Sequence, residues 1–471
     1  MRRKGRVGAL VAATVALAGG AAWAAPGDWG MTRQHDTESH AMQQFGVGEA
    51  IPSSSTENLD AAAATAHPEQ LVQLAKGLTV KVLTSTTDAA KTAAPNVDMI
   101  ALWPDDTAPT HLVFCNEQGT SQPGVQRLDL ATGDVTTILS GTRSCDPMHR
   151  TAWGTLVFGE EAGASGGLYE LIDPLHTAGV TLDRVAHTAS GGVGAANIAY
   201  RPALGNLSFE GLAIYDNGVV YYGDENRPSD GNPGGAIYKF VPSQPWSGAA
   251  PVTSLAASPL ASGTVFGLQL GSSVGQGSET GFGRWVSLAT SDLRAAAAAQ
   301  HLTGFYRPED LAIDKAAAGD GKVRFCGPMT GAEEQQNYGK VVCFTDGTLA
   351  AATAGSSVPE AQTLVEGNPQ LAMPDNIDNQ PGRGNWIVHE DGEVDYTGAL
   401  GTVHDNDLWS CLDDGADDDL ESDGCIRIAT LNDLDAEWTG GVFDATGKHF
   451  YVSVQHNSSG KGVILDITGW K

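Results

Sequence analysis

The sequence predicts an all-β protein with the architecture of a β-propeller. Short runs of β-branched and aromatic residues recur along the chain, and each run is bounded by glycine, proline or another turn-forming residue. Such runs include "HLVFCNEQG", "GTLVFGEE", "GVVYYGDEN", "KVRFCGPMTG", "GNWIVHEDGE" and "KHFYVSVQH". Their spacing is irregular but is mostly about the length of one propeller blade or slightly longer, which is typical of propellers and other repeat arrays.

The segments between these runs support the same architecture. Stretches such as "LATGDVTTI" and "DPLHTAGVTLDRV" resemble the hairpin connections of four-stranded blades. Helical patterns are few, and the best candidate is "DLRAAAAAQHL" at residues 292–302, which we place in an insertion. A pair of β-sandwich domains is the alternative, but it would require a linker, and the sequence contains no such segment.

The N-terminal residues predict export and a three-part organisation. Residues 1–25 contain four cations, an apolar run and small residues around Trp23, the pattern of a cleavable signal peptide. Arg2 and Arg3 form a twin-arginine pair, so both the Tat and the Sec routes remain open. Residues 26–68 predict an extended N-terminal arm, and residues 69–471 predict the propeller domain. We therefore expect a secreted or periplasmic protein without a membrane span after signal removal.

The net charge of the chain restricts the classes of molecule that it can bind. The chain has 27 Lys and Arg residues against 56 Asp and Glu residues, a net charge of −29. Nucleic acids and anionic membranes are polyanions, so this balance argues against binding to either. Hard cations such as Ca²⁺ bind several carboxylate oxygens and offset their mutual repulsion, so the excess also suits calcium sites. A merely soluble acidic surface would give the same composition.

The six cysteines are Cys115, Cys145, Cys326, Cys343, Cys411 and Cys425. In an exported chain we expect disulfides, and Cys326 with Cys343 and Cys411 with Cys425 are plausible pairs. Cys115 and Cys145 then remain. They could pair with each other, or one of them could bind a metal as a thiolate.

Acidic residues follow or precede many of the predicted strands at one end. In a propeller these ends converge on the central channel, so residues far apart in sequence would meet there. So many carboxylates in one channel would repel one another unless cations neutralised them, which implies several bound metals. The strand-end set is Glu117, Glu160, Glu161, Glu210, Asp224, Glu225, Glu309, Asp375, Asn376, Glu390, Asp391 and Glu437.

Two further residues indicate the chemistry. A thiolate from Cys145 would favour a transition metal, because sulfur binds iron, copper or zinc better than Ca²⁺. Arg307 lies two residues before Glu309 and could bind an anionic substrate through its guanidinium fork. Clustered metals with an arginine suit phosphoryl transfer. No Ser-His-Asp arrangement stands out, and Gly-rich segments such as "GNPGGAIY" lack a P-loop lysine, which argues against serine hydrolases and nucleoside triphosphatases.

At these residues the sequence resembles the PhoX family of secreted bacterial alkaline phosphatases. The ordered motifs are "WGTLVFGEE" after a cysteine, "FEG", "YYGDEN", "GAIYKFVP", "YRPEDLAID", "PDNI", "GNWIVHEDG" and "AEWTGGVFDATGKHFYVSVQH". The resemblance implies a six-bladed propeller whose axial site binds iron and calcium and hydrolyses phosphate monoesters. It also implies small-molecule phosphate esters as partners, and we expect a monomer.

The resemblance assigns roles to individual positions. It implies that Cys145 is an iron ligand, that Arg307 and Asn116 contact the substrate phosphate, and that the remaining metal ligands are Glu161, Glu210, Glu309, Asp375, Asn376 and Glu437.

Some motifs depart from the family pattern. The segment before the WGT reads "DPMHRTAWGT", which is bulkier than usual, "CNEQG" lacks the histidine of an Asn-His-Glu motif, and "SFEG" stands where a His-Glu pair is common. These departures leave three alternatives open: a phosphodiesterase, a calcium-dependent propeller lactonase or phosphotriesterase, and a non-catalytic binding module.

Overall fold

The computed structural model describes residues 40–229, 234–248, 250–271, 279–332, 335–392, 404–415 and 421–471. Within these ranges the protein has an all-β, propeller-like fold of 28 strands with five short α-helices. The predicted signal peptide lies outside the described residues. All six of the predicted strand runs are confirmed, as β4, β8, β14, β19, β23 and β27.

Two sheets are built from the N-terminal part of the chain. The first has the strand order β11-β10-β6-β5-β4-β3 and is antiparallel except between β6 and β10. Its strands are β3 (Val97–Trp103), β4 (His111–Asn116), β5 (Pro123–Asp129), β6 (Val135–Ser140), β10 (Val180–Asp183) and β11 (Thr188–Ser190). The second, ordered β12-β9-β8-β7, contains β7 (Cys145–Arg150), β8 (Leu156–Glu160), β9 (Leu168–Leu171) and β12 (Ile198–Tyr200).

The middle of the chain forms one nine-stranded sheet, ordered β13-β14-β15-β16-β17-β21-β20-β19-β18. Its first part contains β13 (Leu212–Ile214), β14 (Val220–Gly223), β15 (Ile237–Pro242), β16 (Gly263–Leu270) and β17 (Gly281–Leu288). Its second part contains β18 (Ala312–Ile313), β19 (Lys322–Met329), β20 (Lys340–Thr348) and β21 (Glu360–Glu366). A short pairing of Gly281 with Ala361 and of Phe282 with Glu360 joins the two parts.

The last two sheets combine C-terminal strands with one early strand each. One, ordered β1-β25-β24-β23-β22, contains β22 (Pro374–Asn379), β23 (Trp386–Glu390), β24 (Asp407–Cys411), β25 (Cys425–Leu431) and β1 (Val72–Leu74). The other, ordered β2-β28-β27-β26, contains β26 (Glu437–Phe443), β27 (Phe450–Gln455), β28 (Val463–Thr468) and β2 (Thr79–Val82). Pairing of early with late strands closes the ring without an exposed seam.

The edge strands nearest the axis contact one another in a ring. β3 contacts β7, β7 contacts β13, β13 contacts β18, β18 contacts β22, β22 contacts β26, and β26 contacts β3. Each of these strands is antiparallel to the next strand of its own sheet. The residues at the start of each axial strand therefore lie at the same end of the ring as the residues that follow the adjacent strand of its sheet.

The α-helices are α1 (Ala41–Gln44), α2 (Ala61–Ala66), α3 (Leu293–Gln300), α4 (Lys315–Gly319) and α5 (Leu349–Thr353). α3 confirms the helix predicted at residues 292–302. Asp292 caps its N-terminus by accepting a hydrogen bond from the Ala295 amide at 3.0 Å, and His301 ends it in a left-handed conformation. Short 3₁₀ turns lie at Pro68–Leu71, Gly163–Ser165, Pro174–His176, Ala195–Asn197, Pro202–Leu204, Leu255–Ala257 and Pro259–Ala261.

Three disulfides connect the six cysteines. Cys326–Cys343 links β19 to β20 and Cys411–Cys425 links β24 to β25, as the sequence predicted. The third, Cys115–Cys145, links β4 to β7 and therefore joins two neighbouring sheets. Of the two outcomes left open for this pair, the structure contains the disulfide.

The described part of the predicted arm differs from an extended segment. It contains α1 and α2, and Phe45 and Ala64 are fully buried against strands of the last two sheets. Burial of this apolar surface fixes the arm on the propeller. Among the described residues, no helix is both long enough and apolar enough to cross a membrane.

Candidate metal centre

A cavity of about 680 Å³ lies at the axis of the ring and is lined mainly by acidic side chains. One acid comes from the start of each axial strand or from the residues just before it. We call these six residues the inner acids: Asp98, Asp146, Glu210, Glu309, Asp375 and Glu437. The ring of axial strands thus brings together carboxylates that are hundreds of residues apart in sequence.

A second group of cavity residues follows the neighbouring strands. These residues are Glu117 after β4, Glu161 after β8, Glu225 after β14, Asp391 after β23 and His456 after β27. They reach the same end of the ring because each of these strands runs antiparallel to an axial strand. Asp435, Arg227 and Arg307 complete the charged lining.

The backbone that leads into the axial strands has a recurring left-handed residue. Asn96, Ser144, Arg307 and Met373 each lie two positions before an inner acid, and their φ angles are between 43° and 56°. Positive φ is uncommon for residues other than glycine and costs free energy, particularly for long side chains. The surrounding sheets therefore impose this turn, which sets the direction in which each inner acid enters the cavity.

The inner acids have little contact with water. Asp98, Asp146, Glu210 and Glu309 are buried, and Asp375 and Glu437 are half-buried. Carboxyl groups also contact each other directly, in the pairs Glu117 with Glu161, Asp146 with Glu210, and Asp391 with Glu437. A hydrogen bond between two carboxyl groups requires a proton on one of them, and a bound cation can replace that proton.

The electrostatics of the cavity oppose full ionisation. Burial, followed by repulsion from neighbouring carboxylates, raises the pKa of each inner acid well above its usual value. Burial and the charges of Glu117 and Glu225 raise the pKa of Glu161 to about 8. These groups ionise together at neutral pH only if positive charge is bound among them.

Arg307 is a half-buried cation of this cavity. Its Nε donates to Glu225 at 2.9 Å, and its Nη2 lies 3.1 Å from Glu309 and 3.8 Å from Asp391. Burial alone would lower its pKa, but the four surrounding carboxylates together raise the pKa well above the usual value. Arg307 is therefore a permanent positive charge held between the two groups of acids.

The structure brings most of the predicted site residues together. Arg307 and the five predicted carboxylates Glu161, Glu210, Glu309, Asp375 and Glu437 all line the cavity.

The structure overturns the prediction that Cys145 is a metal ligand. Its sulfur is bonded to Cys115, and the side chain packs in a buried apolar cluster with Met148 and Phe158. Consecutive residues of a strand point to opposite faces, so the next residue, Asp146, reaches the cavity instead. The thiolate that argued for a transition metal is thus replaced by a carboxylate.

Asn116 and Asn376 also lie outside the cavity lining. Asn116 is fully buried and its Nδ2 donates to the Gly124 carbonyl at 3.4 Å, whereas the following residue, Glu117, lines the cavity. Asn376 is buried, and its Oδ1 accepts from the Gly440 amide at 3.3 Å, while the preceding Asp375 lines the cavity. Of each adjacent pair, the acid and not the asparagine lines the cavity.

Where two acids are adjacent at a strand end, only one of them faces the cavity. Glu160 accepts hydrogen bonds from Arg184 at 2.5 Å and from the Arg143 amide at 2.9 Å, and Asp224 binds Arg294. Their neighbours Glu161 and Glu225 line the cavity. One acid of each pair stabilises the fold, and the other faces the axis.

The predicted ligand set omitted two inner acids, Asp98 and Asp146. A sequence signal for both exists, because five of the six inner acids are followed after one residue by a residue of the axial strand, as in "VDMI", "CDPM", "FEGL", "PDNI" and "AEWT", and in "PEDL" the strand begins one residue later. Asp391 and His456 follow their strands directly, and the family resemblance assigned a ligand role to neither.

The donor set fits hard cations. Apart from His456, the ligating groups of the lining are oxygen donors, which Ca²⁺ and similar ions prefer. Two buried oxygens of the lining, Asp98 Oδ1 and Gln455 Oε1, accept no hydrogen bond from the described residues. A buried acceptor without a donor is costly, and a cation would remove that cost.

A second acidic cluster is explained without a metal. Glu390, His404 and Asp407 offer ligand atoms within 4.8 Å of one another. However, Glu390 accepts hydrogen bonds from the Asp407 amide at 2.9 Å and from Trp409 Nε1 at 3.1 Å, and Asp407 pairs with buried Arg427. These donors already satisfy the cluster.

The fold and the cavity define a propeller-like protein with a carboxylate-rich axial site suited to hard cations. A family model described as alkaline phosphatase PhoX matches residues 196–458. Since this match covers more than half of the chain, the protein belongs to the PhoX family of alkaline phosphatases. The search of curated proteins found no match.

A solved PhoX structure shows the same fold, and other solved structures are less similar. Pseudomonas fluorescens PhoX, in complex with the transition state analogue vanadate, is similar with a TM-score of 0.61 at 15% identity, over 90% of this chain and 98% of that chain. A PQQ-bound aldose sugar dehydrogenase from Streptomyces coelicolor has a TM-score of 0.42 at 11% identity, over 83% and 98%. A gluconolactonase from Xanthomonas campestris has 0.41 at 14% identity, over 89% and 98%.

Proposed function

We propose that the protein is an exported metal-dependent phosphatase that hydrolyses phosphate monoesters and releases inorganic phosphate. The observation that carries this proposal is the ring of six inner acids around the axis, with the cation Arg307 among them. Family membership and the vanadate complex of Pseudomonas fluorescens PhoX support a phosphatase. Bound cations would supply Lewis acidity toward the phosphoryl oxygens and lower the pKa of the water that attacks phosphorus.

The residues of the chain have separate tasks in this proposal. The inner acids, with Glu161, Glu117 and Asp391, would hold the cations, because these oxygens face one cavity. Arg307 would bind the phosphoryl oxygens and stabilise the charge that develops on them. Glu225 and Glu309 fix its guanidinium by contacts of 2.9 and 3.1 Å, so that it is oriented before the substrate arrives.

The cofactors we propose are calcium and, bound without a thiolate, iron. The oxygen donors favour calcium, whereas the sulfur ligand that argued for iron is in a disulfide. Elemental analysis of the purified protein tests this point. Iron retained in a Cys115→Ala/Cys145→Ala variant would mean that it binds without a sulfur ligand. Calcium without iron would restrict the centre to hard cations.

The central test is release of phosphate from p-nitrophenyl phosphate by the metal-loaded protein. We expect turnover that EDTA abolishes and that added metal restores. Glu309→Gln and Asp375→Asn remove inner acids, whereas Glu49→Gln alters an exposed acid and serves as the matched control. A protein with its full metal content but without turnover would contradict the proposal.

A calcium-dependent propeller lactonase or phosphotriesterase is the second candidate, favoured by the absence of a free thiol. Such an enzyme needs oxygen ligands only. Parallel assays with a lactone, a phosphotriester and a phosphodiester distinguish the candidates. Turnover of the lactone or triester alone would replace the phosphatase, and binding of metals without any hydrolysis would favour a binding module.

We also propose that the nine-stranded sheet comprises two blades, which gives six in total. The ring of six axial strands supports this count. We further propose that residues 1–25 are removed on export and that residues 69–471 form the catalytic domain, which acts as a monomer. Three disulfides suit an oxidising compartment. N-terminal sequencing of the mature protein tests the cleavage site.

A further inference from the structure

A second pocket, of about 380 Å³, adjoins the acidic cavity. Glu225 and Arg227 line both spaces, so the segment after β14 forms their shared wall. The remaining lining of the pocket includes Arg143, Ser208 and Arg294. Three arginines therefore face a single carboxylate, in a chain whose acids outnumber its cations by two to one. The positive charge of this pocket is opposite in sign to that of the cavity beside it.

The acids near this pocket already have arginine partners. Glu225 accepts from Arg307 Nε at 2.9 Å, and Glu160 accepts from Arg184. Arg294 is fixed by Asp224, which it contacts through Nε and Nη2, while its Nη1 lies beside Gly163. α3 holds Arg294 in this position. Asp224 is thus paired with Arg294, and the adjoining acids Glu225 and Glu160 are paired with Arg307 and Arg184.

Arg143 is the most informative member of the pocket. It lies just before β7, its residue is exposed, and its side chain makes no hydrogen bond or ion pair with the residues that the structure describes. An exposed guanidinium presents a planar fork of donors. That fork matches two oxygens of a phosphate, and arginine is preferred over lysine for this geometry.

We propose that this arginine pocket binds a second phosphate group of the substrate, so that the enzyme prefers organic bisphosphates to monophosphates. The inference rests on the proposed phosphatase function of the cavity. One phosphate would lie at Arg307, and the other would lie across the Glu225–Arg227 wall, at Arg143 and Arg294. The shared wall sets the span between the two groups, which selects for the length of the molecule that joins them.

The test compares α,ω-alkanediol bisphosphates of two to six carbons with alkyl monophosphates of the same lengths. For the preferred bisphosphate, we expect Arg143→Gln to raise KM roughly 10-fold, because a charged hydrogen-bonding partner is lost. KM for p-nitrophenyl phosphate and for the monophosphates should stay unchanged. Arg150→Gln is the matched control, since Arg150 ends the same strand, roughly 20 Å away from Arg143.

The outcomes separate this inference from the proposed function. Normal turnover of p-nitrophenyl phosphate, with Arg143→Gln affecting bisphosphates and monophosphates equally or not at all, would overturn the arginine pocket alone. If no ester is hydrolysed, the proposed function fails. Calorimetric titration with propane-1,3-bisphosphonate then tests whether the arginine pocket binds the second of two phosphate-like groups. Binding that Arg143→Gln weakens and Arg150→Gln does not would support it, and equal binding would refute it.

Discussion

Single residues decide the chemistry of the axial cavity, and the neighbours Cys145 and Asp146 show how. The two side chains point to opposite faces of β7, one into a disulfide and the other into the cavity. A shift of one position therefore changes a soft sulfur ligand to a hard oxygen ligand. Asn116 with Glu117 and Asn376 with Asp375 follow the same alternation.

We expect Asp146→Asn to lose bound metal and to lower kcat/KM about 100-fold or more, because it removes a proposed carboxylate ligand and the partner of Glu210. By contrast, Cys115→Ala/Cys145→Ala should keep its metal and lose about 3 to 4 kcal/mol of stability, the entropy of a loop of this length. Elemental analysis and denaturant unfolding measure both effects. The opposite pattern, with metal lost only from the cysteine variant, would restore sulfur ligation.

Arg307 carries the second prediction at this scale. We expect Arg307→Gln to lower kcat/KM roughly 100- to 1,000-fold, because the developing phosphoryl charge loses its guanidinium donor. Arg307→Lys keeps the charge but not the planar fork, so its loss should be smaller. Metal content and Tm serve as controls. Equal activity of the glutamine variant and the wild type would exclude a role in phosphate binding.

At the scale of elements, the WGT motif belongs to the fold and not to the chemistry. Trp153 Nε1 and Thr155 Oγ1, in the turn between β7 and β8, donate to Glu170 of β9 at 2.8 and 2.5 Å. Arg201 donates to the other oxygen of the same carboxylate at 2.6 Å. This buried group ties the turn to its own sheet and thereby fixes the direction in which β7 approaches the axis.

Glu170→Gln should therefore lower the free energy of unfolding by about 3 kcal/mol or more, because it leaves Arg201 as a buried charge without its counterion. Metal content per folded chain should stay unchanged. Glu49→Gln breaks the exposed pair with Lys76 and should cost less than about 1 kcal/mol. Loss of metal with unchanged stability in Glu170→Gln would show that the motif acts on the site.

The strands themselves were predictable because burial on both sides leaves a clear apolar run, as in "KHFYVSVQH". Convergence of their acidic ends also followed from the architecture. The architecture did not predict which of two adjacent polar residues faces the axis. A bulge or a left-handed residue such as Ser144 changes the alternation of side chains between the two faces of a strand. The sequence also did not predict that two groups of strands join into one nine-stranded sheet, because the connection depends on one short pairing at Phe282.

At the scale of the whole molecule, closure of the ring is what forces so many carboxylates into one space. β2 pairs with β28 and β1 with β25, so residues near the start of the described chain complete the C-terminal sheets. The sheets therefore cannot spread to relieve repulsion at the axis. Without bound cations, the cavity must retain protons on several carboxyl groups.

Removal of the metals should therefore make stability strongly dependent on pH. The folded protein raises the pKa of Glu161 to about 8, against about 4.5 for an unperturbed glutamate, and raises those of the inner acids as well. A raised folded pKa gives a contribution that is complete below the unfolded value and is lost as pH increases through the folded value. We expect the Tm of EDTA-treated protein to fall by roughly 5 °C or more between pH 5 and pH 8. Cations replace these protons, so metal-loaded protein should show a smaller fall.

Glu161→Gln, which removes one of the titrating groups, should flatten the curve of Tm against pH of the metal-free protein, whereas Glu49→Gln should not. A Tm of the metal-free protein that is constant or rises over this range would contradict the expectation that repulsion among the axial carboxylates destabilises the fold.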